Sequence, residues 1–330
     1  MIWLAWRRQR VQLVSWAVLV VGLGLWMLYT AFQHEAEGRE LARVGCNGIL
    51  HRTIPTGGAA AVDLQLHCSQ LQNSFDWGNG TVSLVVFLVA ALPVAIGAFL
   101  GAPLVADEFR RRTHRMVWTQ SVSRTRWLLT SVAVVVVGAV IPVAFLVAVL
   151  PRWKQAYPDR FSSGVAPGQF NVSGFDALAY LLFALALGVL LGVLLRSSAP
   201  AVVGVLVLYP VTRWGVEGLR AHFLPAATAA SPDGSVPAGG WYLGEGWLPI
   251  GRSGLPPGRS WGYYSPPASC SGTGWQGSGP CAATNGLHWA VTYQPASRFW
   301  AFQGIEAFVF VGLAALCLGA AVLLVRRWSR

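Results

Sequence analysis

Six apolar runs, each flanked by polar or basic residues, dominate the chain. They occupy 11–32, 82–106, 127–150, 175–195, 199–214 and 300–325. About 20 apolar residues of helix are needed to cross about 30 Å of hydrocarbon. Five of the runs meet that length. The fifth is shorter and approaches it only by taking in Arg213 and Trp214. The first two contain no charge. Pro93, Pro103, Pro142 and Pro210 lie in or near the runs, and lipid-buried helices tolerate proline where neighbours re-satisfy the freed carbonyls, so kinks are expected there. The pattern predicts an all-α polytopic membrane protein with six transmembrane helices.

Between the runs lie 33–81, 107–126, 151–174, 196–198 and 215–299, with short ends at 1–10 and 326–330. Residues 225–290 are rich in Gly, Pro, Ser and Trp and show no helical period. Turns and short strands are expected in that stretch, with tryptophans supplying a small core.

Composition agrees. Hydrophobic residues make up 54% of the 330 and charged residues 11%, against about 25% charged in a soluble domain. The net charge of +11 raises nucleic-acid binding as a reading, but the cations flank apolar runs and do not gather on a soluble face. They set orientation instead. With the N-terminus inside, the segments 1–10, 107–126, 196–198 and 326–330 are cytoplasmic and hold 13 of the 24 cations. The larger outer side, with Arg213 at the end of the fifth run, holds the other 11. Both termini are therefore expected in the cytoplasm, with a large extracytoplasmic loop between helices five and six. Trp3, Trp6, Trp118, Trp127 and Trp328 fall at the inner boundary. Trp26, Trp77, Trp153, Trp214 and Trp300 fall at the outer one, as an interfacial belt requires. The first run is too long for a signal peptide's apolar core, and no small-residue cleavage site follows it.

Four cysteines fall outside: Cys46 and Cys68 in the first outer loop, Cys270 and Cys281 in the third. An oxidising compartment predicts two disulfides. Three connectivities exist, and Cys46–Cys68 with Cys270–Cys281 is favoured because each closes one loop. Cys317 lies inside the last run. A metal site from His51, His67 and these thiols lacks a repeated ligand spacing. Asn171-Val172-Ser173 matches a glycosylation sequon, a triplet common by chance.

No phosphate-binding loop is present: its pattern demands a lysine, and the sole lysine, Lys154, stands in an outer loop. The zinc-protease and nucleophile-elbow motifs are absent too. No cofactor or catalytic constellation is expected in this chain.

The 107–126 segment is the most distinctive. Val105, Phe109 and Met116 share a helical stripe, while Asp107, Glu108, Arg110, Arg111, Arg112, His114 and Arg115 surround it. Two readings stand. One is a solvated turn that only fixes topology. The other is a short amphipathic helix at the inner surface that docks in a groove of a cytosolic partner.

Several stretches carry a resemblance. Gly101-Ala102-Pro103-Leu104, Glu108, Thr113-His114-Arg115 and the run from Trp118 to Trp127 resemble the permease subunits of ABC-2 type exporters. Tyr293-Gln294-Pro295-Ala296-Ser297-Arg298-Phe299-Trp300 with Phe302, Gln303 and Glu306, and the start Trp6-Arg7-Arg8-Gln9-Arg10, are similar as well. The resemblance implies a six-helix permease in the cytoplasmic membrane. It implies pairing with a second copy or paralogue, and two cytosolic ABC ATPase subunits that bind ATP and magnesium. The 107–126 loop would be the coupling helix. Arg110-Arg111-Arg112 depart from the family pattern, which often places an acid and a glycine before the threonine. The spans carry few charges, so an amphipathic or lipid-like substrate is expected. The alternative function is a membrane scaffold or sensor whose outer loop binds a ligand without transport.

Glu306 is the one acid well inside a span, about 10 Å past its outer end at 1.5 Å per residue. Gln303 lies one turn earlier on the same face. Intramembrane acids face the bundle interior and are often functional, so Glu306→Gln is expected to impair export at normal expression. The competing reading is a structural pair with Arg213. The basic aromatic start, Trp3 to Arg10, either lies along the inner leaflet or simply flanks span one.

Overall fold

The computed structural model describes residues 2–44, 59–110, 124–161, 165–171, 173–231, 235–249, 281 and 283–327. The helices are α1 (Ile2–Val44), α2 (Ala59–Ile96), α3 (Ala102–Arg110), α4 (Arg124–Gln155), α5 (Asp176–Leu195), α6 (Ser198–Arg220) and α7 (Phe299–Arg327). A π-turn, Gly97–Gly101, separates α2 from α3. Three strands follow α6: β1 (Ala227–Ala230), β2 (Trp241–Pro249) and β3 (Leu287–Gln294). Among the described residues, six helices are long and apolar enough to cross a membrane: Trp6–Arg43, Gly80–Ala106, Thr125–Gln155, Asp176–Leu195, Ser198–Arg220 and Ala296–Arg327.

Two features depart from the expected loops. First, 33–44 and 59–81 are helical extensions of α1 and α2. Ala, Glu, Leu, Arg and Gln are strong helix formers, and a buried stripe at Val20, Met27, His34 and Leu41 continues past the apolar run. Second, α6 continues to Arg220, six residues beyond the expected end of span five. α1 also runs unbroken from Ile2 through the first span. That continuity fits Trp3, Trp6, Arg7, Arg8 and Arg10 as a flank of the span, with Arg7 placed 5.2 Å from the Trp3 ring centre.

The chain forms two compact units. The first comprises Met1–Phe161, Val172–Val211 and Ala307–Arg330. Its core joins Leu13, Val20 and Met27 of α1, Val89 and Ile96 of α2, Val135 and Leu146 of α4, and Leu181, Leu185 and Val189 of α5. α1 and α4 run parallel: Gly24 lies against Phe145, Leu13 against Gly138, and Glu35 pairs with Arg152. The π-turn and α3 run parallel to α5, with Gly97 against Ala184 and Ala102 against Gly188 and Gly192. Span one thus runs with span three and span two with span four, as alternate crossings of one bilayer require. Arg326 Nε donates to Thr125 Oγ1 at 3.4 Å, which brings the end of α7 to the start of α4. α5 is apolar on every face, and a helix of that kind belongs at the centre of its bundle. Its span is accordingly 72% buried, against 22% for that of α7. Outward-facing Val11, Phe87, Phe308 and Leu316 are exposed, a surface suited to lipid.

The second unit comprises Ser162–Asn171 and Thr212–Glu306. Its antiparallel sheet has the order β1-β3-β2, with a register shift between Tyr242 and Gly244. Trp247 on β2 and Trp289 on β3 are register partners, with their rings edge to face at 4.9 Å. The expected strands and tryptophan packing are both present. Gln294, at the end of β3, is fully buried and donates to the carbonyls of Ala221 and Leu224. Arg298 donates to the Pro225 carbonyl and to Gln294 Oε1.

Candidate functional site

Three polar features interrupt the apolar framework. The first is the path into the 107–126 segment. At the π-turn the N–H of Ala102 donates to the carbonyl of Gly97, five residues back. Pro103 supplies a physical reason. A proline in a helix lacks the N–H and its ring collides with the carbonyl four residues earlier, here that of Phe99. In membrane helices a local π adjustment re-satisfies backbone groups that a proline frees. Beyond it, Ala102, Val105 and Ala106 are buried and α3 packs on α5. The expected coupling residues Asp107, Glu108, Phe109 and Arg110 carry this helix onward in their backbone. Arg111, Arg112, His114 and Arg115 lie outside the described residues.

The second feature is a polar cluster in the second unit. Arg220 donates from Nε to Glu306 Oε2 at 2.8 Å and from Nη2 to Glu306 Oε1 at 2.9 Å. Nη2 also reaches Asn171 Oδ1 at 2.9 Å, and Asn171 Nδ2 donates to Glu217 Oε1 at 3.2 Å. The Phe170 ring centre lies 4.2 Å from the guanidinium carbon. Arg220, Glu306 and Gln303 are all fully buried. A buried charge persists only when paired and hydrogen-bonded, and the planar fork of arginine meets both carboxylate oxygens at once.

The structure gives Glu306 a bidentate partner that the sequence reading does not name, Arg220, where that reading names Arg213. The reading that ended span five at 214 left Arg220 in a loop. A signal was present, because Arg213, Glu217 and Arg220 recur at helical spacing on one face of an otherwise apolar helix. The sequon asparagine, Asn171, is held in this same network through its side-chain amide.

The third feature, in the first unit, was missed from sequence. Arg152 on α4 holds Glu35 on α1 in a second bidentate pair, with contacts of 2.5 and 2.9 Å. Lys154 donates to Ser173. His34 stacks on Tyr157 with ring centres 4.2 Å apart, and Trp153, fully buried, meets Tyr157 and Phe161. Burial pushes the Tyr157 phenol above its ordinary range, so it remains a neutral donor to the Thr30 carbonyl at 3.3 Å. Glu35 and Arg152 each stand just past the end of an apolar run, 11–32 and 127–150, on parallel helices. Opposite charges at matched depth were the available clue.

An apolar crevice lies between α2, α4 and α5, lined by Val89, Leu92, Pro93, Val143, Leu146 and Leu181 among others. Cys68 and Cys281 are disulfide-bonded, so their thiolates are not available to a metal, and Cys317 is a free thiol. Cys46, Cys270 and His51 lie outside the described residues.

A family model described as ABC-2 membrane transporter related matches residues 16–220. The chain belongs to this family. The match includes the π-turn, α3 and the whole 107–126 segment, whereas Gln303 and Glu306 lie beyond it. No curated protein and no solved structure matches the chain. As an ABC-2 family member with six apolar helices, the chain is a multi-pass plasma-membrane protein and a component of a membrane transporter. Its family supplies the membrane-embedded part of such transporters.

Proposed function

We propose that this chain is the permease subunit of an ABC-2 type exporter, driven by a separate cytosolic ABC ATPase that binds ATP and magnesium. It moves a small amphipathic or lipid-like substrate across the cytoplasmic membrane and pairs with a second copy or a paralogue. Both termini and the 107–126 segment face the cytoplasm, where arginine holds them. The 215–299 segment faces outward.

The observation that carries the reading is the family match running through α3 into the 107–126 segment. The start of that segment is helical and is fixed by burial of Ala102, Val105 and Ala106. ATP binding closes the partner ATPases, and the segment around Asp107 to Arg115 passes that motion to the spans. The scarcity of charges within the spans supports a substrate with an apolar body.

Purifying the chain from membranes tests this. An ATPase subunit is expected at stoichiometric level, and Phe109→Asp is expected to remove it while the chain still accumulates. An ATPase-free chain that binds a ligand through the second unit would establish the scaffold or sensor reading instead.

A further inference from the structure

We propose that backbone contact between the π-turn and α5 makes α3 and α5 one rigid lever, through which movement at the Asp107–Arg110 end of α3 enters the spans. The proposal rests on the coupling role assigned to that segment. Four glycines form the contact. A Cβ at Gly97 would lie 2.4 Å from the Ala184 carbonyl oxygen, and one at Gly101 would lie 2.7 Å from that of Leu185. From the other side, a Cβ at Gly188 would lie 2.2 Å from the Gly97 carbonyl oxygen, and one at Gly192 would lie 2.4 Å from that of Ala102. All four separations are below 3.0 Å, a limit that real Cβ atoms essentially never cross.

Backbone therefore rests on backbone along two turns of α5. No side chain lies between them whose change of rotamer would absorb a displacement, and packed interiors transmit strain. Across the π-turn itself the regular hydrogen-bond ladder gives way to a wider bond, from the N–H of Ala102 to the carbonyl of Gly97. Helices bend where that ladder is broken. A push on α3 therefore reaches α5 before it reaches α2. α5 is the most buried span and packs on both α2 and α4, so its motion is shared by the first unit's core. Gly97, Gly101, Gly188 and Gly192 act as positioning residues, by permitting this approach.

The test uses the full chain with its co-purified ATPase in lipid nanodiscs. Cys317→Ser removes the free thiol, and spin labels are read without nucleotide and with trapped ATP. One label pair joins Leu104→Cys on α3 to Leu194→Cys on α5. The other joins Leu194→Cys to Leu129→Cys on α4. The first distance is expected to hold within about 2 Å while the second changes by more than that. Gly188→Ala is expected to retain the ATPase but to cut the nucleotide-driven change in the second distance to half or less. Gly22→Ala, where an added Cβ meets open space, should leave it intact.

A first distance that changes by more than about 2 Å, or a second that stays still, overturns the lever. Wild-type distances decide the matter even if Gly188→Ala fails to accumulate. Failure of the coupling reading is recognised separately, by the absence of any co-purified ATPase.

Discussion

The Arg220–Glu306 pair concentrates the energetics of the second unit in two side chains. Both are fully buried and each satisfies the other at two points. Neutralising one partner leaves a buried charge uncompensated, at a cost of about 3–5 kcal/mol, whereas replacing both with apolar groups is often neutral. Glu306→Gln is therefore expected to lower the melting temperature of the detergent-solubilised chain. The double change Arg220→Leu with Glu306→Leu should recover most of the loss. A Glu306→Gln chain as stable as wild type would show that the pair does not hold this unit together. The sequence placed Glu306 inside a span and required a partner for it. It did not reveal which arginine, because span five was ended at its first charges. Paired charges do not end a helix, and α6 passes Arg213 and Glu217 to reach Arg220.

At the scale of elements, apolar length predicted five of the six spans outright and the shorter fifth only with Arg213 and Trp214 taken in, because in lipid every backbone N–H and C=O must be satisfied within its own helix. The extensions of α1 and α2 were less legible. Residues 33–44 look like loop by hydropathy, yet the buried stripe through His34 and Leu41 and the Glu35–Arg152 pair hold them in helix. Hydrogen exchange reads this directly. Amides at 36–41 are expected to exchange slowly, like those of the adjacent span. Exchange at the rate of an open loop would show that the extension is not formed. The π-turn was also hidden. Pro103 announced an irregularity, but whether a proline yields a kink or a wider turn depends on what the neighbouring helix accepts. Here the wider turn lies where α5 comes close to Gly97 and Gly101.

At the scale of the whole molecule, direction and charge must agree. Parallel packing of α1 with α4, and of α3 with α5, fits alternate crossings. The contact of Arg326 with Thr125 brings the end of the chain to the end of the bundle where α4 begins. In the proposed topology that end faces the cytoplasm, where the arginines of 107–126 and of both termini would hold it. The proposed ATPase partner and the proposed lever between α3 and α5 both require that orientation.

Labelling of single added cysteines in intact cells, in the Cys317→Ser background, measures it most directly. A membrane-impermeant maleimide is expected to react with Ser235→Cys from outside, and with His114→Cys only after the membrane is opened. Reaction of His114→Cys in sealed cells, with Ser235→Cys protected, would place the energy-coupling segment on the wrong side and contradict the account.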